Sequence, residues 1–159
     1  MSDNYYGFIG KAVSLNKQGS RNITAISDSI IEKAVGQLGM TKVKGNLIEK
    51  NGHFVYVLGC KNRPDGLTWT VDKLIDEKEY DSSGFTILLT CDFGVGCKLW
   101  AVSRADFLKN NPSSVEYEGR KYYTFSENLL EKILGTKDSV LYSFNDNDFN
   151  SVSGFLKTL

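Results

Sequence analysis

Four cations stand where this chain offers chemistry toward a phosphate: Lys42, Lys44, Lys61 and Arg63, with Glu32 on the preceding helix as the acid that could balance them. Ammonium groups brought within reach of one another repel unless water screens them or an anion sits between. A cluster of this kind suits contacts to phosphate oxygens; the same lysines turned into solvent would only keep a strand end soluble. Cys60, Cys91, Cys97 and His53 are the other reactive side chains. Cys91 and Cys97 lack the short knuckle spacing of a zinc site, so structural thiols are expected. His53 and Cys60 fall at opposite ends of one strand, too far apart for a nucleophile and its base. Asp92-Phe93-Gly94 matches the kinase magnesium motif in letters, without the Gly-rich and catalytic loops that give the motif meaning. Trp69, Trp100, Tyr122 and Tyr123 offer faces for stacking on bases, but aromatic residues at strand positions are expected in a core.

The stretch Lys42–Arg63, KVKGNLIEKNGHFVYVLGCKNR, must position the cations. Asn51-Gly52 between two β-rich runs predicts a hairpin, because a type I′ turn needs positive φ at both central residues. That turn sets a register: Lys50 with His53, Glu49 with Phe54, Ile48 with Val55, Leu47 with Tyr56 and Asn46 with Val57. Continued outward, it pairs Gly45 with Leu58, Lys44 with Gly59, Val43 with Cys60 and Lys42 with Lys61. Opposed residues share a face and faces alternate. One face then carries Phe54, Tyr56, Leu58, Cys60, Leu47 and Val43 as core. The other carries Ile48, Val55 and Val57 near the turn, and Asn46, Gly59, Lys42, Lys44 and Lys61 toward the open end.

Around the hairpin, apolar residues at Ile23, Ile26, Ile30, Ala34 and Leu38, widened by Ile31 and Val35, predict an amphipathic helix over 24–38 that ends at Gly39. Asn22 or Thr24 would cap it. An apolar cluster, Tyr5, Tyr6, Phe8 and Ile9, precedes it. Arg63-Pro64-Asp65-Gly66 is a turn. LTWTVDKLIDE is left open between strand, helix or one leading into the other, and EKEYDSSG reads as a solvated loop. GFTILLTCDF and CKLWAVS, joined through Gly94 and Gly96, form a second hairpin, expected at the centre of the sheet. Ser103-Arg104-Ala105-Asp106 opens a short helix that Pro112 stops. VEYEGRKYYTF turns at Glu118-Gly119, Ser126 caps ENLLEKILG, and the tail holds a short strand, VLYSF, and a helix, DFNSVSGFLKTL.

At 159 residues the chain reads as one domain, 1–159, long enough to bury a core. Its 41% hydrophobic and 24% charged residues are ordinary for a globular protein. No apolar run approaches the roughly 20 residues of a membrane span, and the start lacks the pattern of a signal peptide. With three cysteines, an odd number, the expected setting is a reducing cytoplasm. Net charge is zero, but it is divided: residues 1–63 carry nine Lys/Arg against four Asp/Glu, and residues 64–159 carry ten against fifteen. A basic half can still bind phosphate locally. The expected architecture is α+β: a central mixed β-sheet in a three-layer-like domain, flanked by the 24–38 helix and the C-terminal helices.

The order of these elements (helix with Glu32, hairpin, turn, buried strand, strand with Trp100, short capped helix) resembles the PD-(D/E)XK, or restriction-endonuclease-like, superfamily over roughly residues 20–110. That family binds Mg²⁺ through an Asp on one strand and a Glu-x-Lys on the next, often helped by a helix Glu; the metal activates water for attack at phosphorus. Carried over, Lys61 falls on the motif lysine, Gly59 on its acid, Asn46 on the first Asp and Glu32 on the helix Glu. Both strand carboxylates are therefore absent. The resemblance implies a nucleic-acid-binding protein with a degenerate or inactive nuclease site. Glu32, Asn46 and Lys61 would be its catalytic remnant, and Lys42, Lys44 and Arg63 its phosphate contacts. It implies no cofactor, and Mg²⁺ only if carboxylates such as Asp65, Asp72 or Asp92 complete the site. Short length, neutral charge and an incomplete catalytic set fit a second class equally: a small protein-binding inhibitor or immunity factor of phage or mobile-element origin.

Overall fold

The computed structural model describes residues 25–63, 66–92, 97–135, 142–144 and 149–159, with Lys61–Arg63 placed by their backbone. Helix α1 (Ala25–Leu38) leads into strands β1 (Thr41–Lys44), β2 (Leu47–Lys50), β3 (His53–Gly59), β4 (Lys61–Arg63) and β5 (Gly66–Asp72). Two short 3₁₀ turns, Lys73–Asp76 and Lys78–Tyr80, precede β6 (Gly84–Asp92) and β7 (Cys97–Ser103). Then come α2 (Arg104–Lys109), β8 (Ser113–Tyr117), β9 (Arg120–Ser126), α3 (Glu127–Leu134), β10 (Tyr142–Phe144) and α4 (Phe149–Lys157). The strands form two sheets, one ordered β10-β7-β6-β3-β2-β1 and the other β4-β5-β9-β8. The α+β class with a mixed central sheet and flanking terminal helices is as the sequence predicts. The second sheet is new. The 1–23 segment, the helix-capping Asn22 and Thr24, Pro64-Asp65 and the Gly94–Gly96 link lie outside the described residues.

The second sheet follows from a constraint on β3. It pairs with β6 in parallel, His53 opposite Gly84 through Gly59 opposite Thr90, whereas the other pairs are antiparallel. Parallel neighbours cannot be joined by a tight turn and require a long crossover. The chain between Cys60 and Ser83 supplies that crossover as β4, β5 and the two 3₁₀ turns. The LTWTVDKLIDE stretch is thus a strand leading into a 3₁₀ turn. The turn starts at Asp72, whose Oδ1 accepts from the Leu74 amide at 2.9 Å.

Both faces of the large sheet are buried. Ile48, Val55, Val57, Leu88 and Leu99 lie under Ile26, Ile30, Ile31 and Ala34 of α1 and Val152 and Leu156 of α4. Leu47, Tyr56, Leu58, Phe85, Ile87, Leu89 and Trp100 meet the small sheet through Trp69, Val71 and Phe125, with Phe107 and Leu130 from α2 and α3. This arrangement gives three layers. The face assigned to the cations therefore runs beneath a helix along most of β2 and β3. Val35 and Val43, expected within the core, are both more than a third exposed.

Trp69 is the pin between the sheets. Its indole N–H donates to the Thr90 carbonyl at 2.9 Å, and Thr90 Oγ1 donates on to the Leu58 carbonyl at 2.8 Å. Its ring meets Trp100 and Phe125 edge-on, at 5.6 and 6.1 Å between centroids. Cys60 and Cys91, the two thiols within the described side chains, are buried in the same layer.

Gly84 has a reason of its own. A Cβ there would collide with Nδ1 of His53, the residue opposite it in the parallel ladder. Gly84→Ala must expel that ring and break its bond to Thr86 Oγ1, 3.0 Å from Nε2. The expected cost is about 1–3 kcal/mol, as for overpacked sites in general, measured as a lower urea midpoint with unchanged slope.

Candidate functional site

The turn at Asn51-Gly52 and the four pairs nearest it form as the sequence predicts, with positive φ at both turn residues (54° and 83°). The Val57 amide donates to the Asn46 carbonyl at 3.0 Å, so that pairing also holds. Beyond Asn46 the register fails. Gly45, with φ of 53°, and Asn46 make a second tight turn, and β1 folds back along the outer edge of β2. Lys42 lies opposite Ile48, and Lys44 opposite Leu47, with a bulge between them. They do not pair with Lys61 and Gly59. Lys61 opposes Thr68 in the other sheet, and Arg63 opposes Gly66. Gly45-Asn46 between Val43 and Leu47 is itself a two-residue turn signal, masked by the longer β-rich run around it.

The pairing expected to bring Lys42 and Lys44 beside Lys61 and Gly59 is therefore absent. Glu32 projects from the exposed side of α1, Asn46 sits half-buried in the turn, and Lys42 is exposed on an edge strand. Lys44 is held by Glu77, its Nζ 3.4 Å from Oε2, and that hydrogen bond raises its pKa above the usual lysine value. Asp72 does not migrate toward Lys42 or Lys44: besides capping the turn, its Oδ2 accepts from Arg120 at 2.7 Å. Among the described residues, no three of His, Cys, Asp and Glu gather to hold a metal ion. Glu32 and an Asn46 amide on separate elements do not fit Mg²⁺, which needs several oxygens around one point. No reaction step through a metal follows from them.

Polar side chains do concentrate around the 3₁₀ excursion. Arg104, at the start of α2, is 9% exposed. Its Nε donates to the Ile75 carbonyl at 2.6 Å, Nη2 to the Glu77 carbonyl at 3.3 Å, and Nη1 stands 3.0 Å from Asp81 Oδ1. Five fixed donors in a planar fork suit this clasp, and the guanidinium also lies 5.9 Å from the centroid of the Phe85 ring. The fork turns what reads as a solvated loop into a wall of the core, with Ile75 and Tyr80 buried inside it. In the sequence Arg104 is visible only as the second residue of a capping box. Its partners lie more than twenty residues away.

Tyr80 packs edge-on against Phe54 and Phe85, at 5.0 and 5.1 Å, and its buried hydroxyl has no hydrogen-bond partner among the described residues. A buried polar atom without a partner costs stability. Tyr80→Phe is accordingly expected to be neutral or to stabilise by up to about 1 kcal/mol, read as an equal or higher melting temperature; a clear loss would show that the hydroxyl is engaged.

Two tyrosines predict an alkaline transition. Tyr123 donates to Asp76 Oδ2 at 2.6 Å, and this bond with burial raises its pKa to about 12. Burial, partly offset by the Asp72 backbone amide, raises Tyr56 to about 12. Both folded values exceed the unfolded value of 10.0. The stability they confer is complete below pH 10 and declines as pH rises toward 12. Tyr123→Phe and Tyr56→Phe should each flatten that decline in denaturant titrations at successive pH values.

A second concentration of exposed side chains covers the outer face of the small sheet. The register places Ser113, Val115 and Tyr117 of β8 beside Arg120, Tyr122 and Thr124 of β9, with Thr70 and Asp72 of β5 next in line. Tyr117 is 66% exposed and Val115 53%. The Arg120 guanidinium lies 5.7 Å from the Tyr122 ring centroid while bound to Asp72. Tyr123, on the inward face, packs against Phe107. Among the stacking candidates, Trp69 and Trp100 are buried, and Tyr122 alone lies on the outer face.

Comparison with protein-family models, with curated proteins and with solved structures finds no match to this chain. No helix among the described residues is long and apolar enough to cross a membrane.

Proposed function

We propose that this protein acts by binding another protein, through the outer face of the small sheet. One observation carries the proposal: among the described side chains of β5, β8 and β9 on that face, the charged ones are Arg120 and Asp72, which neutralise each other, while Tyr117, Val115 and Tyr122 are presented around them. Aromatic residues and arginine are enriched in protein interfaces, and unpaired charge is depleted at their centres. A sheet fixes the backbone beneath these side chains, so little ordering entropy is lost on binding. The inhibitor or immunity class suits such a surface.

Nucleic acid ranks second as a ligand. The resemblance to restriction-endonuclease-like proteins suggests it, but Lys44, Arg104 and Arg120 are each bound to a carboxylate of the same chain. At these three cations phosphate would have to displace Glu77, Asp81 or Asp72.

A photoreactive phenylalanine at position 117 is expected to cross-link a defined protein, other than a second copy, in cells that express the chain. Tyr122→Ala should weaken that capture at least roughly tenfold, while Glu32→Ala on the far helix layer should leave it unchanged. Cross-linking no stronger than from position 32 would overturn the proposal. Steeply salt-dependent binding to DNA or RNA that is lost in Lys42→Ala would favour nucleic acid instead.

A further inference from the structure

Strand edges invite pairing with another chain, and folded proteins blunt them with short strands, lysines, prolines or bulges. Three of the four edges here are blunted. β4 and β10 are three residues each, and β1 carries Lys42, Lys44 and a bulge between them. β8 is different. Its five residues, Ser113–Tyr117, are all exposed, hold one charge (Glu116) but neither lysine nor proline, and among the described residues run without a bulge against β9 alone.

The turn between β8 and β9 determines which backbone groups are free. Glu118 and Gly119 both have positive φ, 52° and 78°, as in a two-residue hairpin turn. The flanking residues Tyr117 and Arg120 are then a hydrogen-bonded pair, and the alternation of antiparallel pairs makes Val115 and Ser113 bond inward to β9 as well. The N–H and C=O groups of Ser114 and Glu116 therefore face outward at the open edge.

We infer that β8 pairs antiparallel with β8 of a second copy, about a two-fold axis through Val115. In that register Ser114 and Glu116 of one chain exchange backbone hydrogen bonds with Glu116 and Ser114 of the other. Val115 meets its own copy in a non-hydrogen-bonded pair, where side chains stand closest and a β-branched residue packs well. Ser113 opposes Tyr117. Glu116, the only charged residue in the strand, opposes a serine, so no like charges meet; this self-complementarity is what selects a second copy over an unrelated strand. Two four-stranded sheets become one of eight strands, and the two outer faces lie side by side on it. A five-residue edge pair belongs with interfaces below about 1,200 Å², which are weak and concentration-dependent.

Sedimentation of the full chain tests this. Its weight-average mass is expected to climb from one chain toward two over roughly 10 µM to 1 mM, the affinity range of weak interfaces. Glu116→Pro removes an outward N–H and no inward one, and Val115→Lys opposes two ammonium groups at the axis. Each should raise the dissociation constant at least roughly tenfold, with circular dichroism and melting temperature close to the unsubstituted chain. Val115→Cys should form an intermolecular disulfide under mild copper-phenanthroline oxidation, since facing residues of a non-hydrogen-bonded pair lie at disulfide distance, whereas Tyr117→Cys should not. A chain that stays monomeric to 1 mM, folded variants that dimerise as the parent does, or equal cross-linking from positions 115 and 117 would each overturn the inference. Because the partner-binding face is probed separately by Tyr122→Ala, neither result decides the other.

Discussion

The bond from the Trp69 indole to the Thr90 carbonyl is the constraint on which the two-sheet arrangement depends. A buried indole N–H left unpaired would cost on the order of 1–3 kcal/mol, so Trp69 can enter the core only where an acceptor waits. Thr90 offers one near the end of β6, and its hydroxyl passes the link to Leu58 on the parallel neighbour. One chain of hydrogen bonds thus joins β5, β6 and β3 across two sheets. The rings of Trp100 and Phe125, and Phe107 stacked on Phe125 at 4.9 Å, fill the space around it.

Arg104 completes the same layer from the other end. Without its fork, the buried backbone carbonyl of Ile75 would lose the Arg104 donor, while the Glu77 carbonyl would keep the Tyr80 amide alone. With it, the crossover that the parallel β3–β6 pair requires lies flat against the sheet. The side chains of Asp72, Asp76, Glu77 and Asp81 are drawn into holding the turns in place. Within EKEYDSSG, which reads as solvated, Glu77 and Asp81 hold Lys44 and Arg104, while Asp72 and Asp76 just before it hold Arg120 and Tyr123.

The legible parts of the molecule are those specified by local geometry. Asn51-Gly52 and Glu118-Gly119 dictate their hairpins because few residues tolerate positive φ; both turns form where the sequence predicts them, and the register next to Asn51-Gly52 is the predicted one. Ser103, Ser126, Gly39 and Gly135 mark helix ends for equally local reasons. The illegible parts depend on what happens past a short turn. Register carried outward from Asn51-Gly52 was valid through Asn46 and void at Gly45, and with it went the gathering of Lys42, Lys44 and Lys61.

By itself, then, the sequence determined the α+β class, the terminal helices, the helix-ending residues and the two hairpin turns, because each rests on backbone preferences within a few residues. Only the tertiary structure decided that β3 pairs with β6 in parallel, that a second sheet covers the first, and that Lys42 and Lys44 fold back along β2 rather than pairing with Lys61 and Gly59. It also decided which face of β8 and β9 is left to solvent and which edge is left unblunted. Those outcomes depend on pairings between strands far apart in the chain, and on buried donors such as Trp69 and Arg104 finding acceptors there. No local spacing encodes them.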